Sequence, residues 1–263
     1  YSSHIQGTSS EDFPALPAIT GGTELTIPAD KLKEALDRTM LAASNDETRP
    51  VLGGVYFHTQ DGTLSIAATD GYRLAESKMN NITGDITAII PSTTLHDVLK
   101  IIQDSNSKEV TLLFDESQFG VTVDESHLVS RLVDGQYPQY QQLIPENSDV
   151  RFEVPRSELL TAAKLAGLFA RESGGSITLK ASETDSTVTI SSVASQVGDN
   201  SSEIKGDVTG SGEVVLNVRY LTDALNCFNS DTISFRFSGS ISPCVLTSKD
   251  QPDYQHIVMP LKS

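Results

Sequence analysis

The residues with the most chemical potential in this chain lie in Ala68-Thr69-Asp70-Gly71-Tyr72-Arg73. A carboxylate, an aromatic ring and a guanidinium stand together there. The carboxylate could hold a metal or take a proton, whereas the ring and the cation suit a binding surface. The Asp70-Gly71 step is first of all a turn signal, because Asp accepts hydrogen bonds from the backbone just ahead of it and Gly reaches positive φ at no steric cost. It follows the alternating run Leu64, Ile66, Ala68, so it closes a strand and presents Tyr72, Arg73 and Leu74. A metal-dependent hydrolase or nuclease built on Asp70 is the alternative. His4, His58, His96, His127 and His256 are scattered without metal-ligand spacing. Cys227 and Cys244 make no Cys-x-x-Cys, and neither a phosphate loop nor a Gly-x-Ser-x-Gly elbow occurs. The sequence offers no catalytic residue, no metal site and no cofactor site.

The elements that must position these residues come in two copies. Leu25-Thr26-Ile27-Pro28 and Phe152-Glu153-Val154-Pro155 each read as a strand ending in proline before a helix, where a missing N–H costs nothing. Pro28 and Pro155 lie 127 positions apart, as do Leu32 and Leu159, Ala35 and Ala162, Leu41 and Leu168, and Ala43 and Ala170. Period-two strands follow at Val55, Phe57, Leu64 and Ile66, and again at Ile177, Leu179, Val188 and Ile190. A second strand–helix unit, Ile89-Ile90-Pro91 into Leu95, Val98, Leu99 and Ile102, matches Val215-Leu216-Asn217 into Leu221, Ala224, Leu225 and Phe228. Strands at Val110–Phe114 and Phe119–Val123 answer to 232–237 and 244–247, and the closing residues Pro138, Tyr140 and Gln141 to Pro252, Tyr254 and Gln255. Hairpin-length gaps predict antiparallel pairing, so the fold class is α+β, two repeated domains each with two helices packed on antiparallel sheets. Asp12-Phe13-Pro14-Ala15-Leu16 matches Gln136-Tyr137-Pro138-Gln139-Tyr140 and reads as the tail of a preceding repeat. The expected division is 1–22 as that tail with a linker, 23–146 as one domain and 147–263 as the next.

Composition limits the rest. The chain has 263 residues, 38% hydrophobic, and no apolar run near the roughly 20 residues of a membrane span. No secretory signal is visible, and two cysteines are too few for a disulfide framework, which points to reduced thiols in the cytoplasm. A net charge of −16 argues against a nucleic-acid surface over the whole molecule. The charge is unevenly spread. In the helical stretches Lys31, Lys33 and Arg38 offset Asp30, Glu34 and Asp37, Lys100 offsets Asp97, and Arg219 offsets Asp223. Arg156, Lys164 and Arg171 face Glu158 alone, so the helices carry +2 and the remainder −18.

Three motifs in order carry a family resemblance. Ala68-Thr69-Asp70-Gly71-Tyr72-Arg73-Leu74-Ala75, Ser130-Arg131-Leu132-Val133-Asp134-Gly135-Gln136-Tyr137-Pro138 and Ile257-Val258-Met259-Pro260-Leu261 resemble signatures of the bacterial DNA polymerase III beta subunit, the sliding clamp. The resemblance covers essentially the whole chain. It implies a DNA clamp fold with three such domains per subunit, of which this chain holds the second and third, and a homodimeric ring at full length. It implies no enzyme, but a processivity factor that encircles double-stranded DNA without reading its sequence. Partners implied are the polymerase III alpha subunit and the clamp loader, through short peptide motifs, with other polymerases and repair proteins; no membrane is involved. The interface of the family joins first domain to third, so the fragment is not expected to close a ring.

The resemblance also implies a peptide cleft. Residue by residue, its apolar pocket falls on Leu52, Thr69, Gly71, Tyr72, Arg73, Leu74, Pro138, Leu143, Val258 and Met259, and an adjoining groove on Asn217, Tyr220, Pro243, Pro260 and Leu261. Such a concave apolar site with a few orienting polar groups suits aliphatic or aromatic peptide anchors. Gln142 stands where the family often has Arg, Tyr72 where it has His, Pro243 where some members have Ser, and Ser263 where an aliphatic occurs. The helices of the family line the hole, which makes Lys31, Lys33, Arg38, Lys100, Lys164 and Arg219, with Arg49 from a neighbouring loop, the DNA-facing candidates.

Overall fold

A computed structural model describes residues 1–13, 19, 21–194 and 198–261, without the side chains of Asp12 and Ala194. Pro14, Ala15 and Leu16 of the tail motif, and Ser263, lie outside the described residues. The first half runs β1 (Thr23–Pro28), α1 (Ala29–Thr39), β2 (Gly54–Gln60), β3 (Thr63–Thr69), β4 (Arg73–Asn80), β5 (Thr87–Pro91), α2 (Ser92–Asp104), β6 (Glu109–Phe114), β7 (Gln118–Val123) and β8 (Ser126–Arg131). The second runs β9 (Val150–Pro155), α3 (Arg156–Phe169), β10 (Ser176–Ser182), β11 (Thr187–Ala194), β12 (Gly198–Lys205), β13 (Asp207–Thr209), β14 (Gly212–Asn217), α4 (Val218–Asn226), β15 (Thr232–Phe237), β16 (Cys244–Ser248) and β17 (Gln251–Val258).

Each strand–helix junction has a local cause. Pro28, Pro91 and Pro155 end a strand and stand directly before the first helical residue. At the fourth junction Asn217 does the work with its side chain, Oδ1 accepting from Arg219 N at 2.9 Å. The helices bury one face at helical spacing: Leu32, Ala35 and Leu36 on α1; Leu95, Val98, Leu99 and Ile102 on α2; Leu159, Ala162, Ala163 and Ala166 on α3; Leu221, Ala224 and Leu225 on α4. The expected α+β class is what the chain adopts, and every ladder among the described residues is antiparallel.

Two four-stranded sheets, β1-β6-β7-β8 and β12-β11-β10-β14, flank a nine-stranded one, β13-β9-β15-β16-β17-β4-β3-β2-β5. The long sheet crosses between the halves where β17 pairs with β4. Sheets and helices enclose one large apolar cluster. A smaller one, with Leu74, Tyr137, Tyr140 and Ile257, lies apart from it.

One expected match is corrected. Pro252, Tyr254 and Gln255 lie inside β17, whereas Pro138 to Gln141 follow β8 and enter a 3-10 turn at Tyr140–Leu143. The hydrogen-bonded ladders make β8, not the Pro138 segment, the counterpart of β17. A short Pro-x-aromatic likeness outvoted topology in the sequence because no apolar period marks β8, whose residues are half-buried or exposed.

Phe152 and Phe235 are fully buried and stacked, centroids 5.0 Å apart, on paired strands of the second half. Phe235→Ala is expected to cost about 3–5 kcal/mol, read as a lower urea midpoint at unchanged slope.

Candidate docking site

The Asp70 turn is built by its own side chains. Asp70 Oδ1 accepts from the backbone N–H of Tyr72 (2.8 Å) and Arg73 (3.0 Å), and Oδ2 takes Arg73 Nε at 3.1 Å. Thr69 Oγ1 donates to the Arg73 carbonyl at 2.7 Å and accepts from Gly71 N at 3.1 Å. Gly71 sits at φ +92°, where an L side chain is strained. Both oxygens of Asp70 are therefore committed to the turn, and nothing here supports the hydrolase alternative. Tyr72 is left projecting, 60% exposed.

Across the junction this turn meets the second half. Leu74 pairs with Ile257 and Arg73 with Val258 in the β4–β17 ladder. The chain then continues across, Met259 N donating to Tyr72 O and Leu261 N to Val215 O, both at 2.8 Å. Arg73 Nη1 reaches Asp223 Oδ2 at 2.7 Å, and its guanidinium lies 4.8 Å from the centre of the Tyr220 ring. Only a tenth of that side chain is exposed, so the pair is largely removed from solvent screening. Tyr137 fixes the neighbouring segment: its buried hydroxyl accepts from Thr69 N at 3.0 Å, and burial pushes the phenol well above its ordinary range.

The structure thus brings Thr69, Gly71, Tyr72, Arg73, Leu74, Val258 and Met259 together, with Leu261 joined through Val215 and Tyr220 through Arg73. Pro138 follows the anchored Tyr137 and is exposed. Leu143 is exposed, and Gln142 is held locally by Gln139 at 2.7 Å. Leu52 is half-buried in a 3-10 turn, Asn217 serves as helix cap, and Pro243 and Pro260 are half-buried beside the β16–β17 pair.

Several residues holding this junction carry no signal in the sequence. Glu76 is 2% exposed and accepts from Tyr140 Oη (2.7 Å) and Gln255 Nε2 (2.5 Å), with Lys78 Nζ at 3.3 Å. On the other sheet face Tyr254 Oη donates to the Arg38 carbonyl at 3.2 Å and lies 2.8 Å from His256 Nδ1. Asp223 shows in the sequence only as the acid that offsets Arg219.

Comparison with known proteins agrees along the chain. Residues 26–139 match the family model for the DNA polymerase III beta subunit, central domain, and residues 141–262 the C-terminal domain. The chain belongs to the DNA polymerase III beta-subunit family. It is 30% identical over 264 residues to the beta sliding clamp of Staphylococcus aureus, covering 99% of this chain and 70% of that one. The Synechococcus elongatus clamp is 31% identical over 264 residues, at 98% and 70% coverage. The solved sliding clamp of Bacillus subtilis superposes with TM-score 0.90 at 28% identity, over 97% of this chain and 68% of that one.

In this sliding-clamp chain the DNA-facing candidates are not equivalent. Arg38 is corrected: it is 4% exposed, paired with Glu34 and set 5.5 Å over the Tyr254 ring, so it faces the second half rather than solvent. Lys31, Arg49 and Lys100 are solvent-facing but paired, with Glu34 (3.6 Å), Asp46 (2.9 Å) and Asp97 (3.0 Å). Lys164 is exposed, and Arg219 lies 4.0 Å from Asp223. Lys33 and Arg219 line an 870 Å³ cavity between α1 and α4, where Asp30, Glu34, Asp37 and Asp223 balance the cations.

His256 supplies a pH test of the junction. It is fully buried, its Nε2 has no hydrogen-bond partner among the described residues, and burial lowers its pKa to about 3. A base depressed in the folded state is protonated first in the unfolded one, so stability is lost as pH falls below the unfolded value of about 6.5. Between pH 7 and pH 5 the loss from this group is expected to be about 2 kcal/mol. Urea titrations at both pH values should show His256→Gln losing less than the parent by about that amount.

Proposed function

We propose that this chain acts within a DNA sliding clamp as a docking platform, a processivity factor rather than a catalyst, with the middle clamp domain at 23–146 and the C-terminal clamp domain at 147–263. Its cleft lies at the β4–β17 junction. The observation that carries this reading is the apolar shelf of Tyr72, Met259, Pro260 and Leu261, held beside a guanidinium that Asp70, Asp223 and Tyr220 lock in place. A preformed shelf with one fixed cation suits the apolar anchors and carbonyl or carboxylate groups of a short extended peptide. Polymerases, the polymerase III alpha subunit among them, the clamp loader and repair proteins would present such segments. The reading carries with it a cytoplasmic location.

Toward DNA the clamp is read as a loose guide. A Debye length of about 8 Å lets helix cations act locally while the acidic remainder of the molecule is screened. Phosphate contacts of this sort hold the duplex without reading bases. At full length a homodimeric ring would supply the topological hold.

Calorimetric titration of the chain with a short synthetic peptide bearing paired aliphatic and aromatic anchors tests the docking reading. Met259→Ala, at a half-buried position outside the core, is expected to weaken binding about tenfold with little change in melting temperature. Absence of heat at millimolar peptide, or equal affinity in the variant, would overturn it.

A further inference from the structure

In the first half the nine-stranded sheet ends on β5, and that edge is only partly covered. The pairing with β2 fixes which backbone groups point away. Phe57 lies opposite Ala88, and Thr59 N donates to Ile86 O at 3.0 Å, so Ile86, Ala88 and Ile90 turn their groups toward β2. Thr87 and Ile89 turn theirs outward. Ile89 O accepts from Val133 N at 2.8 Å. Among the described residues nothing takes the N–H of Ile89 or either backbone group of Thr87.

The chain itself begins a strand on this edge and then leaves it. Asp134-Gly135 follows Val133, and Gly135 sits at φ +132°, which breaks an extended run. A Cβ on that glycine would come within 2.7 Å of the Val51 side chain, so the departing backbone lies close on its neighbour. Beside β5 it leaves a cavity of 430 Å³. Thr87 and Ile89 form one wall, Glu116 of the β6–β7 turn another, and the segment from Leu132 to Gln139 a third.

The repeat shows the same edge at work. Pro91 and Asn217 stand at matched positions before α2 and α4, so Ile89 answers to Val215 on β14. Val215 O accepts from Leu261 N at 2.8 Å, as Ile89 O does from Val133 N. Extended backbone is thus laid on this edge in both halves, and in the second half it carries part of the docking shelf.

The cavity is also continuous with the candidate docking site. Pro138 lines it and follows Tyr137, whose hydroxyl accepts from Thr69 N of the Asp70 turn. Gln139 lines it too and accepts from Gln142 Nε2 at 2.7 Å. The chemistry of the two places differs. The shelf is apolar, whereas Glu116 and Asp134 face this cavity and its lining residues include no lysine, arginine or histidine. An open strand edge recognises main chain, and carboxylates without a matching cation select a positive side chain.

We propose that the β5 edge receives the flank of the segment that docks at the cleft. The flank adds a strand: its backbone meets Thr87 and Ile89, and a lysine or arginine on it meets Glu116 and Asp134. This rests on the docking reading above and extends it, because affinity then depends on residues outside the apolar anchors.

Calorimetry with the apolar-anchored core peptide, and with the same core carrying a short alternating Lys-Val extension at one end or the other, tests the proposal. One of the two extended peptides is expected to bind at least about fivefold tighter than the core, with the gain shrinking as salt is raised. A Glu-Val extension at that end should add nothing. Glu116→Lys, on an exposed turn, is expected to remove most of the gain while core affinity and melting temperature stay unchanged. Thr87→Pro deletes an outward N–H without cutting the ladder to β2, and should lower the gain as well. If the core binds and neither extension tightens it, if Glu-Val serves as well as Lys-Val, or if the gain survives both substitutions, the proposal is overturned and the docking reading stands. A core peptide that does not bind overturns the docking reading, and this inference with it.

Discussion

The register of β17 against β4 is the constraint on which the rest of this structure depends. Side chains alternate across a sheet, so one choice of register assigns every residue at the junction to a face. With Leu74 opposite Ile257, both turn toward Tyr137 and Tyr140, and Glu76 with Gln255 follows on the same side. Arg73, Val258, Ala75 and His256 turn the other way, toward α1 and α4, where Asp223, Tyr220 and the Arg38 carbonyl are waiting. A slip by one residue would bring Glu76 under the helices and put Leu74 where Arg73 now finds its carboxylates. The candidate docking shelf is a consequence of that choice, because Met259 to Leu261 continue the strand from its fixed end.

Apolar packing alone would not enforce the choice, since Leu74, Ile257 and Val258 are interchangeable in character. The polar groups discriminate. A buried carboxylate or guanidinium left without partners is costly, while its gain over a well-packed apolar pair is small, so such groups act mainly against wrong arrangements. The junction has one on each face: Glu76 with Tyr140, Gln255 and Lys78, and Arg73 with Asp70 and Asp223. His256 shows that the arrangement is not free of cost, for its Nε2 is enclosed without a partner among the described residues.

Much of this was legible in the sequence, for identifiable reasons. Prolines at 28, 91 and 155 mark strand–helix junctions because proline conformation is local. The strand Ile177–Leu179 announces itself by alternation because one face is buried and the other is not, whereas Leu64–Ala68 is buried on both faces and alternates only because Ser65 and Ala67 are small. What could not be read is burial supplied by the other half of the chain. Arg38 lies on α1 among Lys31, Lys33 and Asp37 and looks like any solvated helix cation; only the fold places Tyr254, 216 positions away, over it. Glu76 likewise sits in an ordinary strand pattern until Tyr140 and Gln255 arrive. The reverse error arose at Tyr254 itself, where a short motif suggested equivalence with Tyr140 and the ladders assign Ser126 instead.

The loss of Arg38 from the helix surface bears on how such a molecule would hold DNA. Of the cations named on the four helices, those that remain exposed are mostly paired with acids one turn away, and the seam cavity between α1 and α4 is charge-balanced. Each phosphate contact adds a counterion-release term to affinity, so many free cations would grip the duplex and resist translation. A lining close to neutral does the opposite: it avoids repelling the backbone as strongly as the acidic exterior would, yet offers little to detach from at each step. On the sliding-clamp reading, weak electrostatics at the helices and strong geometry at the sheet junctions are complementary requirements, because a tether that is closed by its protein–protein contacts has no need to be closed by its contacts with DNA.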